Sequence, residues 1–133
     1  MQNVGTLSNS KKILIVDDDP NIVQMLKRAL EYRGYLVLIA MDGEEALRKT
    51  EQEVPDLILL DLRLPRLPGE EVCKKIRSND NIKNIPIIIL TGKNDDADRI
   101  IGRVIGATYY MNKPCNIIDL LNITNAIFAT ENL

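Results

Sequence analysis

Five short apolar runs punctuate the chain: KILIV at 12–16, LVLIA at 36–40, DLILL at 56–60, IIIL at 87–90 and TYYM at 108–111. Three of them are apolar nearly throughout instead of alternating, the pattern of parallel strands covered by helices on both faces. The stretches between them repeat apolar residues at helical spacing. Over 20–33 these are Ile22, Val23, Leu26, Ala29 and Leu30, with Asp19 placed as N-cap, Pro20 at the first helical position and Gly34 as the stop. A second helix is expected over 43–53 behind Asp42, with Ala46, Leu47 and Thr50 on one side, and a third over 69–78 with Val72, Cys73 and Ile76 inward. The fourth, over 95–105, opens on Asp95, Asp96 and Asp98, which suit the positive end of a helix, and would bury Ile100, Ile101, Val104 and Ile105. The last, over 116–130, carries Ile117, Ile118, Leu121, Ile127 and Phe128; its NITNAIF segment forms helix poorly and leaves its end open.

Five β–α units with short connections predict an α/β fold, a (βα)5 doubly wound five-stranded parallel sheet with right-handed crossovers. The pattern leaves the strand order open, but it says where to look for function. In such sheets ligands sit outside the carboxyl ends of the strands.

Composition narrows the chemistry. A length of 133 residues predicts one folded domain over 11–133, preceded by a polar, flexible leader over 1–10. A net charge of −2 without a basic run argues against direct nucleic-acid or membrane partners, and IPIIIL is far too short to span a bilayer. Cys73 and Cys115 fit neither a disulfide framework nor a metal-site spacing, which points to a reducing, cytoplasmic setting. The chain has no histidine, so histidine-based acid–base chemistry and the usual zinc sites are excluded. Carboxylates, hydroxyls and lysines remain.

Those groups gather where the fold places ligands. Asp17 and Asp18 follow the first run, Asp61 the third, Thr91 the fourth and Lys113 the fifth. Singly, each has an ordinary account as a helix cap, a turn residue or a loop lysine. Jointly they do not. Carboxylates on one rim repel one another unless a cation intervenes, and a hard divalent ion such as Mg²⁺ suits an all-oxygen site. With such an ion bound, an aspartate can attack a phosphoryl group, whose equatorial oxygens would be met by the metal, the Lys113 ammonium and the Thr91 hydroxyl.

The segments ILIVDDDP, YLVLIAMDGEEAL, PDLILLDLRLP with PGEE, PIIILTG and GATYYMNKP resemble the receiver domain of two-component response regulators, over about 12–130. The resemblance implies the flavodoxin-like order 2-1-3-4-5 of the chemotaxis receiver. It implies Asp61 as phospho-acceptor, with Asp17, Asp18, Asp61 and the backbone carbonyl of Arg63 holding Mg²⁺. Thr91 would be the switch hydroxyl, Lys113 the partner of the phosphoryl group and Tyr110 the switch aromatic. The donor would be a histidine kinase or phosphotransfer protein, and the output a changed helix 4–strand 5–helix 5 surface read by an effector protein or domain. A protein of this kind assists its own phosphorylation and dephosphorylation and is not otherwise an enzyme. Because no DNA-binding or catalytic segment follows the last helix, output is expected through a separate partner or an effector domain outside these residues.

The chain also departs from the family pattern. Pro68-Gly69 stands where Asp-Gly is frequent, and Cys115 replaces the aromatic after Lys-Pro, a small buried filler in place of a ring. Thr108 and Tyr109 replace an acidic pair that often makes dimer salt bridges, which leaves a phosphorylation-dependent dimer open. Arg63 and Lys93 occupy the two places where the family tunes dephosphorylation. Both are long cations: lying over a phosphoryl group they would hinder water and prolong its life, and as plain solvated cations they would have no kinetic role.

Two rivals use the same residues. A haloacid dehalogenase-type phosphatase would take Asp17 and Asp19 as its acids, with Thr91 and Lys113. Against it, Asn21 fills the Thr/Val place, no acidic pair follows Lys113, and Asp61 is left without a task. A phosphorylation-independent interaction module would typically have lost an acid or the lysine, and this chain keeps the full set.

Overall fold

The computed structural model describes residues 10–92 and 106–131, without the side chains of Thr91 and Glu131. The elements are β1 (Lys12–Val16), α1 (Pro20–Tyr32), β2 (Leu36–Ala40), α2 (Gly43–Glu53), β3 (Leu57–Asp61), α3 (Gly69–Arg77), β4 (Ile87–Thr91), β5 (Tyr109–Asn112) and α4 (Ile117–Glu131). The helix expected over 95–105 and nearly all of the 1–10 leader lie outside the described residues.

Local chemistry sets the helix bounds. The Asp19 carboxylate accepts from Asn21 N–H at 2.9 Å, and Pro20 opens α1 with a fixed φ and no donor left over. Past its end, Gly34 at φ 92° and the Tyr35 N–H on the Leu30 carbonyl stop the helix. Asp42 caps α2 by accepting from Glu45 N–H at 2.8 Å, and the Glu45 carboxylate accepts in return from Met41 N–H at 2.7 Å. Substituting Asp19→Ala should lower stability by about 1 kcal/mol, the ordinary worth of an N-cap, as read from urea unfolding at constant m-value.

The strands form one parallel sheet in the order β2-β1-β3-β4-β5. β3 lies one residue later than the pattern predicts: Asp61 joins it by pairing opposite Leu90, while the Asp56 carboxylate turns to accept from Lys12 N–H at 2.7 Å. β5 also starts late, because Thr108 spends its hydroxyl on the Ile87 N–H at 3.0 Å.

Alternate residues of the central strands feed two cores. Leu14, Val16, Ile58, Leu60 and Ile89 meet α2 and α3 through Ala46, Val72 and Ile76. Ile13, Ile15, Leu57, Leu59 and Leu90 meet α1 and α4 through Val23, Leu26, Leu30, Leu120 and Phe128. With both faces covered, β1 and β3 bury every residue except Lys12. This rigid centre holds the carboxyl-end rim, on which Asp17 and Asp61 sit.

Candidate functional site

The carboxyl ends of β1, β3 and β5 deliver the polar groups. Asp17 follows β1 and is fully buried; Asp18 beside it is exposed; Asp61, the last residue of β3, is 6% exposed. One carboxylate oxygen from each of Asp17, Asp18 and Asp61 lies within 4.8 Å of the others. Lys113, just beyond β5, reaches over this cluster. Its Nζ stands 3.1 Å from Asp61 Oδ2, a hydrogen bond, and 3.0 Å from Asp17 Oδ2, an ion pair outside hydrogen-bonding angles. The remaining oxygens are held by backbone: Asp19 N–H donates to Asp17 Oδ1 at 2.9 Å, and Arg63 N–H donates to Asp61 Oδ1 at 3.0 Å.

The charges are unequal. Burial would lower the Lys113 pKa, but the neighbouring Asp17 and Asp61 carboxylates outweigh it and hold the ammonium above its usual range. Asp61 moves up: burial disfavours its anion, and the Arg63 N–H and Lys113 only partly offset this, with Asp17 adding repulsion. Burial therefore decides the direction at Asp61, and the two carboxylates decide it at Lys113. Lys113 has two carboxylates to itself, whereas burial at Asp61 outweighs the Arg63 N–H and its share of Lys113.

This imbalance, together with the buried Asp17 Oδ2 that no hydrogen bond satisfies, describes a site short of positive charge. Its side-chain donors are carboxylate oxygens, two buried and one facing water. Such a set fits a hard divalent cation that keeps part of its water shell, and Mg²⁺ in particular.

Asp17, Asp18, Asp61 and Lys113 are thus brought together as the sequence predicts. Asp19 is occupied as the α1 cap, which removes the second acid that a phosphatase built on Asp17 would need. Arg63 lies two residues past Asp61 with its side chain exposed. Thr91 closes β4 opposite Asn112; its side chain and Lys93 are outside the described part of the structure. Tyr110 is half-buried in β5, paired with Ile89 and packed against the α2–α3 side of the core. The Cys115 thiol packs against the α1–α4 core, and burial pushes its pKa up despite the nearby Lys113, so it acts as an inert filler. Asp42 and Gly43, which the sequence marks as a cap or not at all, border the loop that follows Asp61, and Arg66 within that loop pairs with Asp42.

A family model for the response regulator receiver domain matches residues 13–125. The chain belongs to that family. The receiver is 50% identical over 105 residues to the alkaline phosphatase synthesis transcriptional regulatory protein PhoP of Bacillus subtilis, covering 79% of this chain and 43% of that one. It is 38% identical to the response regulator MprA of Mycobacterium ulcerans, covering 93% and 53% of the two chains. It therefore spans about half the length of the curated relatives it matches. Among solved structures, the Vibrio cholerae chemotaxis response regulator CheY4 superposes with a TM-score of 0.83 at 34% identity, over 90% of this chain and 99% of that one. A CheY-like response regulator receiver domain protein from Methanospirillum hungatei gives 0.83 at 35% identity, over 93% and 98%. The receiver is a two-component signalling module, and the relatives' names describe regulators, not conventional enzymes. No helix among its described residues is long and apolar enough to cross a membrane.

Proposed function

We propose that Asp61 accepts a phosphoryl group from a histidine kinase or phosphotransfer protein, with a Mg²⁺ ion held by Asp17, Asp18, Asp61 and the backbone carbonyl of Arg63. The observation that carries this reading is the convergence of three carboxylates and Lys113 at the carboxyl ends of β1, β3 and β5. The ion supplies neutralisation of the carboxylates and of the phosphoryl oxygens. Everything else falls to the chain's own groups.

The Arg63 N–H holds Asp61 Oδ1 and so fixes the plane of the carboxylate, leaving Oδ2 as the attacking oxygen. A bond forms from Oδ2 to phosphorus as the bond to the donor's nitrogen breaks, and the donor imidazole leaves with that electron pair. Lys113, now in contact with Oδ2 at 3.1 Å, passes from the carboxylate to the new phosphoryl oxygens. The Thr91 hydroxyl takes another of these oxygens. Its movement, with Tyr110 turning behind it, alters the surface around β5 and α4 for an effector protein or domain, or for a phosphorylation-dependent dimer.

Intact mass after incubation with Mg²⁺ and acetyl phosphate tests the reading. The expected gain is one phosphoryl group, abolished by EDTA and by Asp61→Asn. No gain in a folded protein would leave a phosphorylation-independent module, and a modification that survives Asp61→Asn would move the nucleophile to Asp17.

Arg63 and Lys93 then act as covers over the phosphoryl group, slowing in-line attack by water. The double substitution Arg63→Asn with Lys93→Glu should accelerate phosphate loss, on the order of tenfold, measured as decay of the phosphorylated mass after the donor is removed. An unchanged decay rate would make both cations kinetically silent.

A further inference from the structure

The loop over 62–68, between β3 and α3, is gripped at its ends and in its middle. Its ends close on each other where Gly69 N–H donates to the Leu62 carbonyl at 3.1 Å. Its first residues are tied to the site by the Arg63 N–H on Asp61 Oδ1. The grip on its middle comes from another part of the chain, the first turn of α2. Gly43 N–H donates to the Pro65 carbonyl at 3.3 Å. Gly43 is buried, and a Cβ there would overlap the carbonyl oxygen of Leu67. Arg66, in the left-handed region at φ 70°, places Nε 3.4 Å from Asp42 Oδ2 and Nη1 4.0 Å from Glu44 Oε1.

The α2 helix does not need these contacts for itself. Asp42 caps it through Oδ1, leaving Oδ2 for Arg66. Beyond its first residue, the buried side of α2 is carried by Ala46 and Thr50. Nor does Arg66 add much stability: its side chain is 67% exposed, and exposed ion pairs contribute little. What the contacts do reach is the middle of the loop, at Pro65, Arg66 and Leu67.

We propose that the first turn of α2 is a template for the acceptor loop, with Gly43 and Arg66 as positioning residues for the metal and phosphoryl chemistry. Gly43 sets how deeply the loop rests, because only a residue without a side chain lets the Leu67 carbonyl approach. The Asp42 and Glu44 carboxylates hold Arg66 down over that contact. Together they fix the separation between the Arg63 backbone and the Asp17–Asp18–Asp61 cluster. This rests on the reading of that cluster as a divalent-ion site. Neither residue touches the ion or the phosphoryl group.

Mg²⁺ titration of the ¹⁵N-labelled protein, followed by amide chemical shifts, separates placement from stability. Gly43→Ala should weaken Mg²⁺ binding about tenfold or more, the scale of lost outer-shell support at metal sites. Arg66→Ala should weaken it about two- to fivefold, the scale of exposed ion pairs, and Arg66→Lys should restore part of that loss. Thr50→Gly, a buried change two turns along the same helix, loses the hydroxyl on the Ala46 carbonyl, destabilises α2 and should leave the affinity unchanged. Wild-type affinity in both Gly43→Ala and Arg66→Ala would overturn the template. So would an equal loss in Thr50→Gly, which would make the effect one of general destabilisation. If Gly43→Ala gives no folded spectrum, Arg66→Ala and Arg66→Lys decide the matter. A wild-type protein that shows no saturable shifts at the three acids overturns the divalent-ion reading itself, and the template with it.

Discussion

In EDTA, Lys113→Met should be markedly less stable than the wild type, and Asp61→Asn more stable. Lys113 Nζ neutralises Asp17 Oδ2 at 3.0 Å and Asp61 Oδ2 at 3.1 Å, and Asp17 has no surface in water. Removing the ammonium strands two buried carboxylates at once. Breaking one side of a buried pair costs about 3–5 kcal/mol; the low end, about 3 kcal/mol, applies because Lys113 keeps 20% of its side-chain surface exposed. Adding Mg²⁺ should return part of the loss, since a bound cation stabilises by RT ln(1 + [L]/Kd), about 2.7 kcal/mol at a hundredfold excess over Kd. Urea unfolding of Lys113→Met with EDTA and with Mg²⁺ measures both. A Lys113→Met protein as stable as the wild type in EDTA would mean that the acids are not short of positive charge.

Asp61→Asn runs the other way, for a reason that pH can expose. Burial lifts the Asp61 carboxyl in the native protein above its ordinary value of 3.8. A native group that binds its proton more readily than the unfolded chain loses stability as pH rises through the window from that ordinary value to the raised native one. The wild type should therefore lose stability across that window, and Asp61→Asn should not. Its advantage is full above the native pKa, on the order of 1 kcal/mol for a single site, and vanishes below the ordinary one. Unfolding curves at a series of pH values in EDTA check the sign.

The features of this fold that the sequence displays, and those it does not, divide along physical lines. Helix starts were legible where a side chain announces them: Asp19-Pro20 and Asp42 place α1 and α2 to the residue. The strands were legible as apolar runs, but their order came from resemblance, because alternation of strand and helix says nothing about which strands are neighbours. The acids and Lys113 could be gathered on one rim because parallel strands all end on the same side. Contacts made through backbone carbonyls were not legible. Arg77 donates through Nε to the Gly106 carbonyl at 2.9 Å and through Nη1 to the Lys83 and Ile85 carbonyls at 2.9 and 2.7 Å, tying the end of α3 to the entries of β4 and β5. Every residue has a carbonyl, so no residue type marks such a partner. Gly43 under the Leu67 carbonyl escaped for the same reason; Arg66 against Asp42 is a side-chain ion pair, and it escaped because its partner lies more than 20 positions away among many other charged residues.

Gly69→Ala is expected to damage stability and phosphorylation together, although alanine is the better residue for a helix. Gly69 is the first residue of α3, where replacing glycine by alanine would ordinarily contribute about 0.5–1 kcal/mol. Here a Cβ would lie 2.5 Å from the Asp61 carbonyl oxygen and 2.6 Å from Leu62 Cα. Both obstacles are backbone, so no side chain can rotate out of the way; β3 and its loop must shift instead. Overpacking of this kind costs about 1–3 kcal/mol, and because the contacts are with rigid backbone the upper part of that range, about 2–3 kcal/mol, is the expected loss in urea unfolding. The chemical effect has the same origin. Asp61 would be displaced from the Arg63 N–H that holds Oδ1 and from Lys113 on Oδ2. The rate of mass gain with acetyl phosphate should then fall about a hundredfold, the scale of a misplacement near 1 Å. Gly34, at φ 92° with nothing within 4 Å of its Cβ position, supplies the control: alanine there meets backbone strain but no clash, far from the acids. It should lower stability and leave phosphorylation intact. If Gly69→Ala behaves like Gly34→Ala, the turn after Asp61 yields easily, and the rigidity of β3 is not what holds the acceptor in place.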